Sequence, residues 1–363
     1  MNNKKIRRHG AMASEAPAIL SAFLLLLCIF SLSLFTAGCG RVQTGEDKDE
    51  DGGKLNVVTT LFPYYDFLRQ IGGDRIEITM IVPAGMDSHS FEPTPADIIT
   101  IQNADLVVVN GGAMEQWFSR VYDSFGDGPK PKRVVTMMDY VDTVEEEIVE
   151  GMEDEDHDHA HDGEEGHDHA AEEDHDHDAE DDGHGVEIEY DEHIWTSPAN
   201  AVKLTGIIAD VLAEENPENS TFYKNNETAY VGKLTALDDE FRDIVENGKR
   251  KLVIFGDKFP LRYFFDEYGL EYRAAFSGCS TDTEPSAKTI AYLIDKVREE
   301  QIPAIYYLEL SSHRVAEIIG EETGAEPLLF HSCHNVTRKE FDAGVTYLDL
   351  MEKNAVNLRK GLN

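Results

Sequence analysis

The chain has 363 residues, of which 41 % are hydrophobic, and this is enough for two domains, or for one domain in two halves, with apolar cores. Its formal net charge at pH 7 is −39, because 71 acidic residues outnumber 32 basic ones. So acidic a surface repels nucleic acid and phospholipid head groups, which excludes both as electrostatic partners, and it attracts cations.

The N-terminal segment, residues 1–39, is predicted to be a signal sequence. A basic start precedes the apolar run 18–35, and small residues lead to Cys39 in "TAGC". This string resembles a bacterial lipobox, which implies that Cys39 becomes a lipidated N-terminus. The alternative is an uncleaved membrane helix, since the apolar run is nearly long enough to span a bilayer. Residues 40–53 are polar and predict a flexible tether.

Alternating strands and helices predict an N-terminal βα lobe over residues 54–196. Four runs rich in apolar and β-branched residues are interpreted as strands: "LNVVTT", "IEITMIV", "DLVVVNGG" and "RVVTMM". Helical segments such as "PYYDFLRQIGG" and "AMEQWFSRVYDSF" lie between them. Strands that alternate with helices predict a mainly parallel sheet.

An acidic, histidine-rich insertion interrupts this lobe at residues 144–189 and is predicted to be disordered. Its stretch 153–182 has 17 acidic residues and neither Lys nor Arg. In an extended chain, histidines two residues apart point the same way, so neighbouring pairs can bind one metal ion loosely. The alternative is an inert acidic spacer. The accessory metal ligands predicted here are His157, His159, His161, His167, His169, His175, His177 and His184.

Two long helices are predicted at residues 197–249, between the lobes. Ser197 and Pro198 form a typical helix start, and the second helix has apolar residues at three- and four-residue steps. The alternation restarts in residues 250–363 with "KLVIFG", "EYRAAF", "AIYYLEL" and "EPLLFHS". The predicted fold class is therefore α/β, with two βα lobes whose four-stranded sheets are mainly parallel, joined by a long helix.

Candidate ligands follow the strands, at the edge where open parallel sheets bind their ligands. They are His89 and His193 in the first lobe, and Asp257, His331 and His334 in the second. Imidazole and carboxylate groups that meet at one cleft between two lobes predict a transition-metal site.

Several strings carry a family resemblance, among them "PAGMDSHSFEPTPAD", "DEHIWTSPANA", "TEPSAKTIAYLIDKV" and "TYLDLMEKN". They resemble the cluster A-I solute-binding lipoproteins, the zinc and manganese receptors of bacterial ABC importers. The resemblance covers nearly everything from Leu55 to the C-terminus. It implies two βα lobes joined by one long rigid helix, with the metal between the lobes.

The family's metal ligands transfer to this sequence only in part. His89 and His193 match its first two histidines. Where the family has a third ligand, His or Glu, this chain has Lys258 at or next to the position, and Asp257 beside it is the candidate. The fourth family ligand is usually an Asp after the last strand; here the stretch is "HSCHN", and either His331 or His334 replaces it.

Two cysteines fall in the predicted folded part, Cys279 and Cys333. Export favours a disulfide between them, and both follow strands of one sheet. The alternatives are metal-bound thiolates and free buried thiols.

The predicted function is an extracytoplasmic, high-affinity Zn(II) receptor that delivers metal to the permease of an ABC importer. It is predicted to be a monomer, lipid-anchored at the outer face of the cell membrane. The alternatives are a manganese or iron receptor, a metal-binding adhesin and a zinc hydrolase. Histidine ligands favour zinc over manganese, which prefers oxygen. The sequence lacks H-E-x-x-H, G-x-S-x-G and a Walker-type loop, so an enzyme is not predicted.

Overall fold

The computed structural model describes residues 54–152, 190–278 and 285–363. The predictions about the signal sequence, Cys39, the tether, the eight accessory histidines and Cys279 lie outside these ranges. In the part of the chain that is described, no helix is both long and apolar enough to cross a membrane.

The first lobe is a parallel sheet flanked by helices. Its strands are β1 (Leu55–Thr59), β2 (Ile76–Met80), β3 (Leu106–Val109) and β4 (Arg133–Thr136). They lie in the order β2-β1-β3-β4, and every pair is parallel. The helices are α1 (Phe62–Gly72), α2 (Pro95–Gln102) and α3 (Gln116–Ser124). The central strand β3 is buried along its whole length, as expected where helices cover both faces of a parallel sheet.

Two long helices follow the first lobe, α4 (Pro198–Glu215) and α5 (Ser220–Glu246). The Ser197 side chain caps α4 by accepting a hydrogen bond from the Asn200 amide, as the sequence predicted. The apolar stripe of α5 is buried, including Tyr230, Leu234 and Phe241. This stripe belongs to a hydrophobic core that also contains residues of both sheets, so α5 joins the lobes through packing as well as through the chain.

The second lobe repeats the topology of the first. Its strands are β5 (Leu252–Phe255), β6 (Glu271–Ala274), β7 (Ala304–Tyr307) and β8 (Glu326–Leu329). They form a parallel sheet in the order β6-β5-β7-β8. The helices are α6 (Arg262–Tyr268), α7 (Ala287–Glu299), α8 (Arg314–Thr323), α9 (Arg338–Asp342) and α10 (Tyr347–Gly361). The predicted fold class, two four-stranded βα lobes, is confirmed.

Buried polar contacts hold the two lobes against each other. The Trp195 indole donates to the Ser332 carbonyl over 2.9 Å, and the Tyr347 hydroxyl donates to the Trp195 carbonyl over 2.8 Å. The Tyr347 amide donates to the buried Asp66 carboxylate of α1 over 2.8 Å. The Asn335 amide group adds bonds to two carbonyls of the loop after β2. Because these groups are out of water, each bond fixes the relative position of the lobes.

The two ends of the acidic insertion lie side by side. Glu145 and Tyr190 form an isolated antiparallel bridge. The chain therefore leaves the first lobe and returns to it at neighbouring points, whatever lies between residues 153 and 189.

Candidate metal centre

Three of the four predicted histidine ligands meet in one cavity between the lobes. His89 lies in the loop after β2, His193 in the segment before α4, and His334 in the loop after β8. The ring centroids are 6.3 Å apart for His89 and His193, 5.9 Å for His89 and His334, and 5.8 Å for His193 and His334. All three line a cavity of about 170 Å³. The sequence predicted this convergence, because the candidate ligands follow parallel strands whose carboxyl ends lie at one edge.

The three rings are slightly further apart than in a metal-bound cluster. With zinc–nitrogen bonds of about 2.0–2.1 Å in a tetrahedral site, ring centroids would be about 5 Å apart. Among the described residues, no three His, Cys, Asp or Glu side chains already stand in an arrangement that holds a metal ion. Closing the three imidazoles around an ion therefore requires movements of about 1 Å or less, which rotations of the side chains can supply.

His193 is the most firmly oriented of the three imidazoles. Its Nδ1 lies 3.1 Å from Oδ1 of Asp191, the same atom that accepts the His193 backbone N–H over 2.7 Å. Burial disfavours the charged ring, but the carboxylates of Asp191 and Glu192 outweigh it and raise the pKa of His193. With Nδ1–H donated to Asp191, Nε2 keeps its lone pair for a metal. A carboxylate behind a metal-binding histidine is the usual way of fixing this tautomer.

The segment that carries His193 is itself anchored by its neighbours. The Glu192 carboxylate accepts the backbone N–H groups of Ala113 and Met114, and the Asn110 side chain donates to the Glu192 carbonyl over 2.9 Å. From the other lobe, the Tyr263 hydroxyl donates to the Asp191 carbonyl over 2.7 Å. His193 is thus held by contacts from both lobes.

His334 reaches the cavity from the second lobe and rests on a tryptophan. Its ring stacks on Trp195 at a centroid distance of 5.7 Å, and its Nε2 lies 2.6 Å from the Ser88 hydroxyl of the first lobe. Burial, followed by the positive charges of His193, His89 and Lys258, holds the pKa of His334 well below its usual value. The ring is therefore neutral at pH 7, as a metal ligand must be, and zinc would replace Ser88 as the partner of Nε2.

His331, the alternative to His334, is not among the described residues that line this cavity. It is buried, and its Nδ1 accepts the Cys333 backbone N–H over 2.9 Å. Its Nε2 has no hydrogen-bond partner within the described residues, and the side chain lines a separate cavity with Glu340 and Lys353. The reason is local: the backbone of Cys333 is left-handed, with φ of 61°, and this turn sends the two histidines to different sides.

Asp257 and Lys258 both line the cavity, directly after β5. The two carboxylate oxygens of Asp257 accept backbone N–H groups, from Lys258 over 2.8 Å and from Leu308 over 3.0 Å. Glu309, also in the lining, is similarly occupied, because its two oxygens accept the Ser332 backbone N–H and the Ser332 hydroxyl. These two carboxylates therefore hold neighbouring backbone segments of the cavity wall together.

Cys333 carries a free thiol that is fully buried in the core shared by both lobes. Burial, followed by the charges of Glu309 and Asp66, holds the pKa of this thiol well above its usual value. This disagrees with the predicted disulfide, and it makes Cys333 a poor thiolate ligand, since the thiolate is the form that binds metal. The other partner, Cys279, lies outside the described residues.

Sequence reasoning missed the residues that orient the three imidazoles: Ser88, Asp191, Trp195 and Asn335. The only signal for them was the string "DEH", in which a carboxylate stands two residues before a histidine and can reach its Nδ1. The contacts of Ser88 and Asn335 join residues about 250 positions apart in sequence, and no local pattern reveals such pairs.

Comparison with known proteins finds relatives that match most of the chain. The family model described as "ZnuA: Zinc-uptake complex component A periplasmic" matches residues 57–361. The "High-affinity zinc uptake system protein ZnuA" of Bacillus subtilis (strain 168) is 32 % identical over 338 residues, which are 93 % of this chain and 97 % of the relative. The "Zinc-binding lipoprotein AdcA" of Streptococcus pneumoniae (strain TIGR4) is 31 % identical over 341 residues. These are 94 % of this chain but only 60 % of that longer relative.

Solved structures with the same fold cover 85 % of this chain. The metal-dependent lipoprotein YcdH from Bacillus subtilis has a TM-score of 0.66 at 29 % identity and is covered completely, 100 %. The Zn(II)-bound ZnuA-like domain of AdcA from Streptococcus pneumoniae has a TM-score of 0.64 at 27 % identity and is covered to 99 %.

Proposed function

The chain belongs to the family of periplasmic zinc-uptake component A proteins, and from this premise we propose that it is an extracytoplasmic receptor that binds Zn(II) between its lobes and delivers it to the permease of an ABC importer. A component of an uptake complex binds its cargo without transforming it, so no enzymatic activity is assigned. The observation that carries the proposal is the convergence of His89, His193 and His334 in one cavity between the lobes.

The ligands proposed for the metal are these three histidines. Three nitrogen donors suit zinc, whereas manganese prefers more oxygen. The carboxylates of Asp257 and Glu309 in the cavity wall already accept hydrogen bonds, from backbone N–H groups and from the Ser332 hydroxyl. The related receptor from Bacillus subtilis is named for zinc uptake, which supports the same cargo for this chain. The acidic, histidine-rich insertion is proposed to be an accessory store that holds further zinc loosely and feeds the cavity.

The test of this function is a zinc titration of the metal-free protein with and without residues 153–182. Glu145 and Tyr190 are paired, and the deletion leaves 14 residues between them, 146–152 and 183–189, to close the loop; seven of the eight accessory histidines are removed. One tight zinc per chain should remain, with the melting temperature nearly unchanged, while the weak equivalents should largely disappear in calorimetry. Saturating the tight site should stabilise both proteins by about 4 kcal/mol when free zinc is 1,000 times the dissociation constant.

A matched control separates the contribution of the imidazole groups to weak zinc binding from that of the acidic residues. A full-length variant with all eight accessory histidines changed to asparagine keeps the acidic residues and should lose the same weak equivalents. Loss of the tight site in either variant would place its ligands in the insertion and contradict the proposed centre.

The location is proposed to be the outer face of the cell membrane, where a lipid on Cys39 would hold a monomeric receptor close to its permease. Changing Cys39 to serine should release the protein from the membrane fraction, as seen by fractionation and immunoblotting. Changing Cys28 to serine, in the apolar run before it, is the matched control and should leave the protein attached. A Cys39→Ser protein that stays in the membrane would instead support an uncleaved membrane helix.

A further inference from the structure

The segment with which the acidic insertion begins, residues 144–152, lies across both lobes, and we call it the strap. On the first-lobe side, the Val144 carbonyl accepts the Asp191 backbone N–H over 2.9 Å. The side chains of Val144, Val149 and Met152 are partly buried against the hydrophobic core that contains residues of both sheets. The strap is therefore fixed to the folded chain at its start, in its middle and at its end.

One hydroxyl group of the second lobe binds the chain on both sides of the insertion. The Tyr263 hydroxyl, in α6, accepts the Val144 backbone N–H over 3.3 Å. The same hydroxyl donates to the Asp191 carbonyl over 2.7 Å. Asp191 stands two residues before His193, so the contact that fixes the start of the strap also fixes the segment that carries a proposed zinc ligand.

Two ion pairs join the strap to the second lobe. Arg262 of α6 pairs with Glu147, which also accepts a hydrogen bond from the Tyr272 hydroxyl over 3.4 Å. Arg273 of β6 pairs with Glu150 over 3.6 Å. One such pair near the surface contributes little, because water and salt screen it. Two pairs within four residues of one segment, together with the Tyr263 contact, resist its separation from the second lobe at several points.

The strap passes beside the proposed zinc cavity. A methyl group placed on Gly278, which lines the cavity, would lie 3.4 Å from the Glu146 carboxylate. The proposed zinc ligands come from both lobes, since His89 and His193 belong to the first lobe and His334 to the second. Zinc bound by all three imidazoles cannot leave until these groups separate. A contact that resists separation of the lobes beside the cavity therefore slows the release of zinc.

We propose that the strap keeps the two lobes together beside the cavity and thereby slows the release of zinc, with Arg262, Tyr263 and Arg273 as the positioning residues that anchor it. The proposal rests on the proposed function and adds a control of metal release to it. Because two of the anchors are partly exposed ion pairs, salt weakens them. Release of zinc should therefore become faster as the ionic strength rises.

The test measures how fast bound zinc is released into an excess of chelator, by stopped flow at low ionic strength. The double variant Glu147→Gln, Glu150→Gln keeps the shape of both side chains, and it should release zinc at least about twofold faster than the parent, because both ion pairs are lost. Glu322→Gln is the matched control. It removes the partner of Arg298, an ion pair within the second lobe, and should release zinc as slowly as the parent does. Release by the parent should accelerate in concentrated sodium perchlorate, and release by the double variant should respond less.

Two further measurements separate this role from a general loss of stability. Exchanging the charges, with Glu147→Arg and Arg262→Glu in one chain, should restore slow release relative to Arg262→Glu alone. Hydrogen exchange of the strap amides should also slow when zinc binds, although no strap residue is a proposed ligand, because zinc stabilises the arrangement in which the lobes are together. Strap amides that exchange equally fast with and without zinc would overturn the proposal.

The outcomes distinguish the strap from the proposed function on which it rests. Tight zinc binding by the parent, with release from the double variant within twofold of it, would overturn the strap alone. A difference in release that disappears when the eight accessory histidines are changed to asparagine would also overturn it, since recapture of zinc by the insertion would then be the cause. Absence of tight zinc binding by the parent would overturn the proposed function itself.

Discussion

Replacing His193 by alanine is expected to weaken tight zinc binding by more than about 100-fold. Removal of an outer-shell partner alone typically costs about 10- to 100-fold in metal affinity, and His193→Ala removes a direct donor. It also leaves Asp191 buried without the imidazole that it faces. Chelator competition with the purified, metal-free protein measures the change, and circular dichroism verifies that the fold is intact.

The neighbouring histidines supply the controls. His334→Ala should weaken zinc binding to a similar degree, whereas His331→Ala should leave the affinity within about threefold, because His331 faces another cavity. His313→Asn is a control outside the site: asparagine tolerates the left-handed backbone found there, with φ of 57°. If His331→Ala were as damaging as His334→Ala in a folded protein, the assignment of the second-lobe ligand would be wrong.

Replacing Trp195 by alanine is expected to destabilise the metal-free protein by about 3–5 kcal/mol. The side chain is fully buried, and truncations of large aromatic residues in a core cost this much. The hydrogen bond to the Ser332 carbonyl is lost as well, and with it one contact between the lobes. Denaturant unfolding in the presence of a chelator measures the free energy of unfolding without any contribution from zinc.

The two tryptophans of the chain allow the hydrogen bond to be isolated from the packing. Trp195→Phe keeps a ring but leaves the Ser332 carbonyl without its donor, which should cost about 1–3 kcal/mol beyond the change in packing. Trp117→Phe is the matched variant, because the buried Trp117 indole N–H has no partner within the described residues. Equal losses for the two phenylalanine variants would mean that the Trp195–Ser332 bond contributes nothing to stability.

The fold could be predicted because its signals are local. Each strand is a short apolar run, each helix has its periodic stripe, and caps such as Ser197 mark the starts. His89 and His193 were predictable for a related reason, since parallel strands bring their carboxyl ends to one edge. The acidic composition, which attracts positive ions, indicated a cation as the ligand.

The choice between His331 and His334 could not be predicted. Both follow β8, and only three positions separate them. A prediction based on the residues that follow a parallel strand therefore includes both histidines. What distinguishes them is the left-handed backbone at Cys333, a conformation that cysteine rarely adopts and that no sequence pattern announced. The interpretation of Cys333 stayed open between a disulfide, a metal-bound thiolate and a free buried thiol for the same reason: the turn places its thiol in the shared core.

The contact between Asp66 and Tyr347 has a consequence for how the chain matures. Asp66 lies in the first helix of the described chain, and its buried carboxylate accepts the first amide of the last helix, while Arg69 beside it donates to the Val345 carbonyl. A nascent chain that has not yet produced residues 345–361 keeps Arg69 and Gln70 as partners of Asp66, but it lacks the Tyr347 amide and the Val345 carbonyl that tie the first helix to the last. Folding is therefore expected to reach completion only when the final helix arrives. This delay would keep an exported polypeptide unfolded for as long as it is being threaded through a translocation channel.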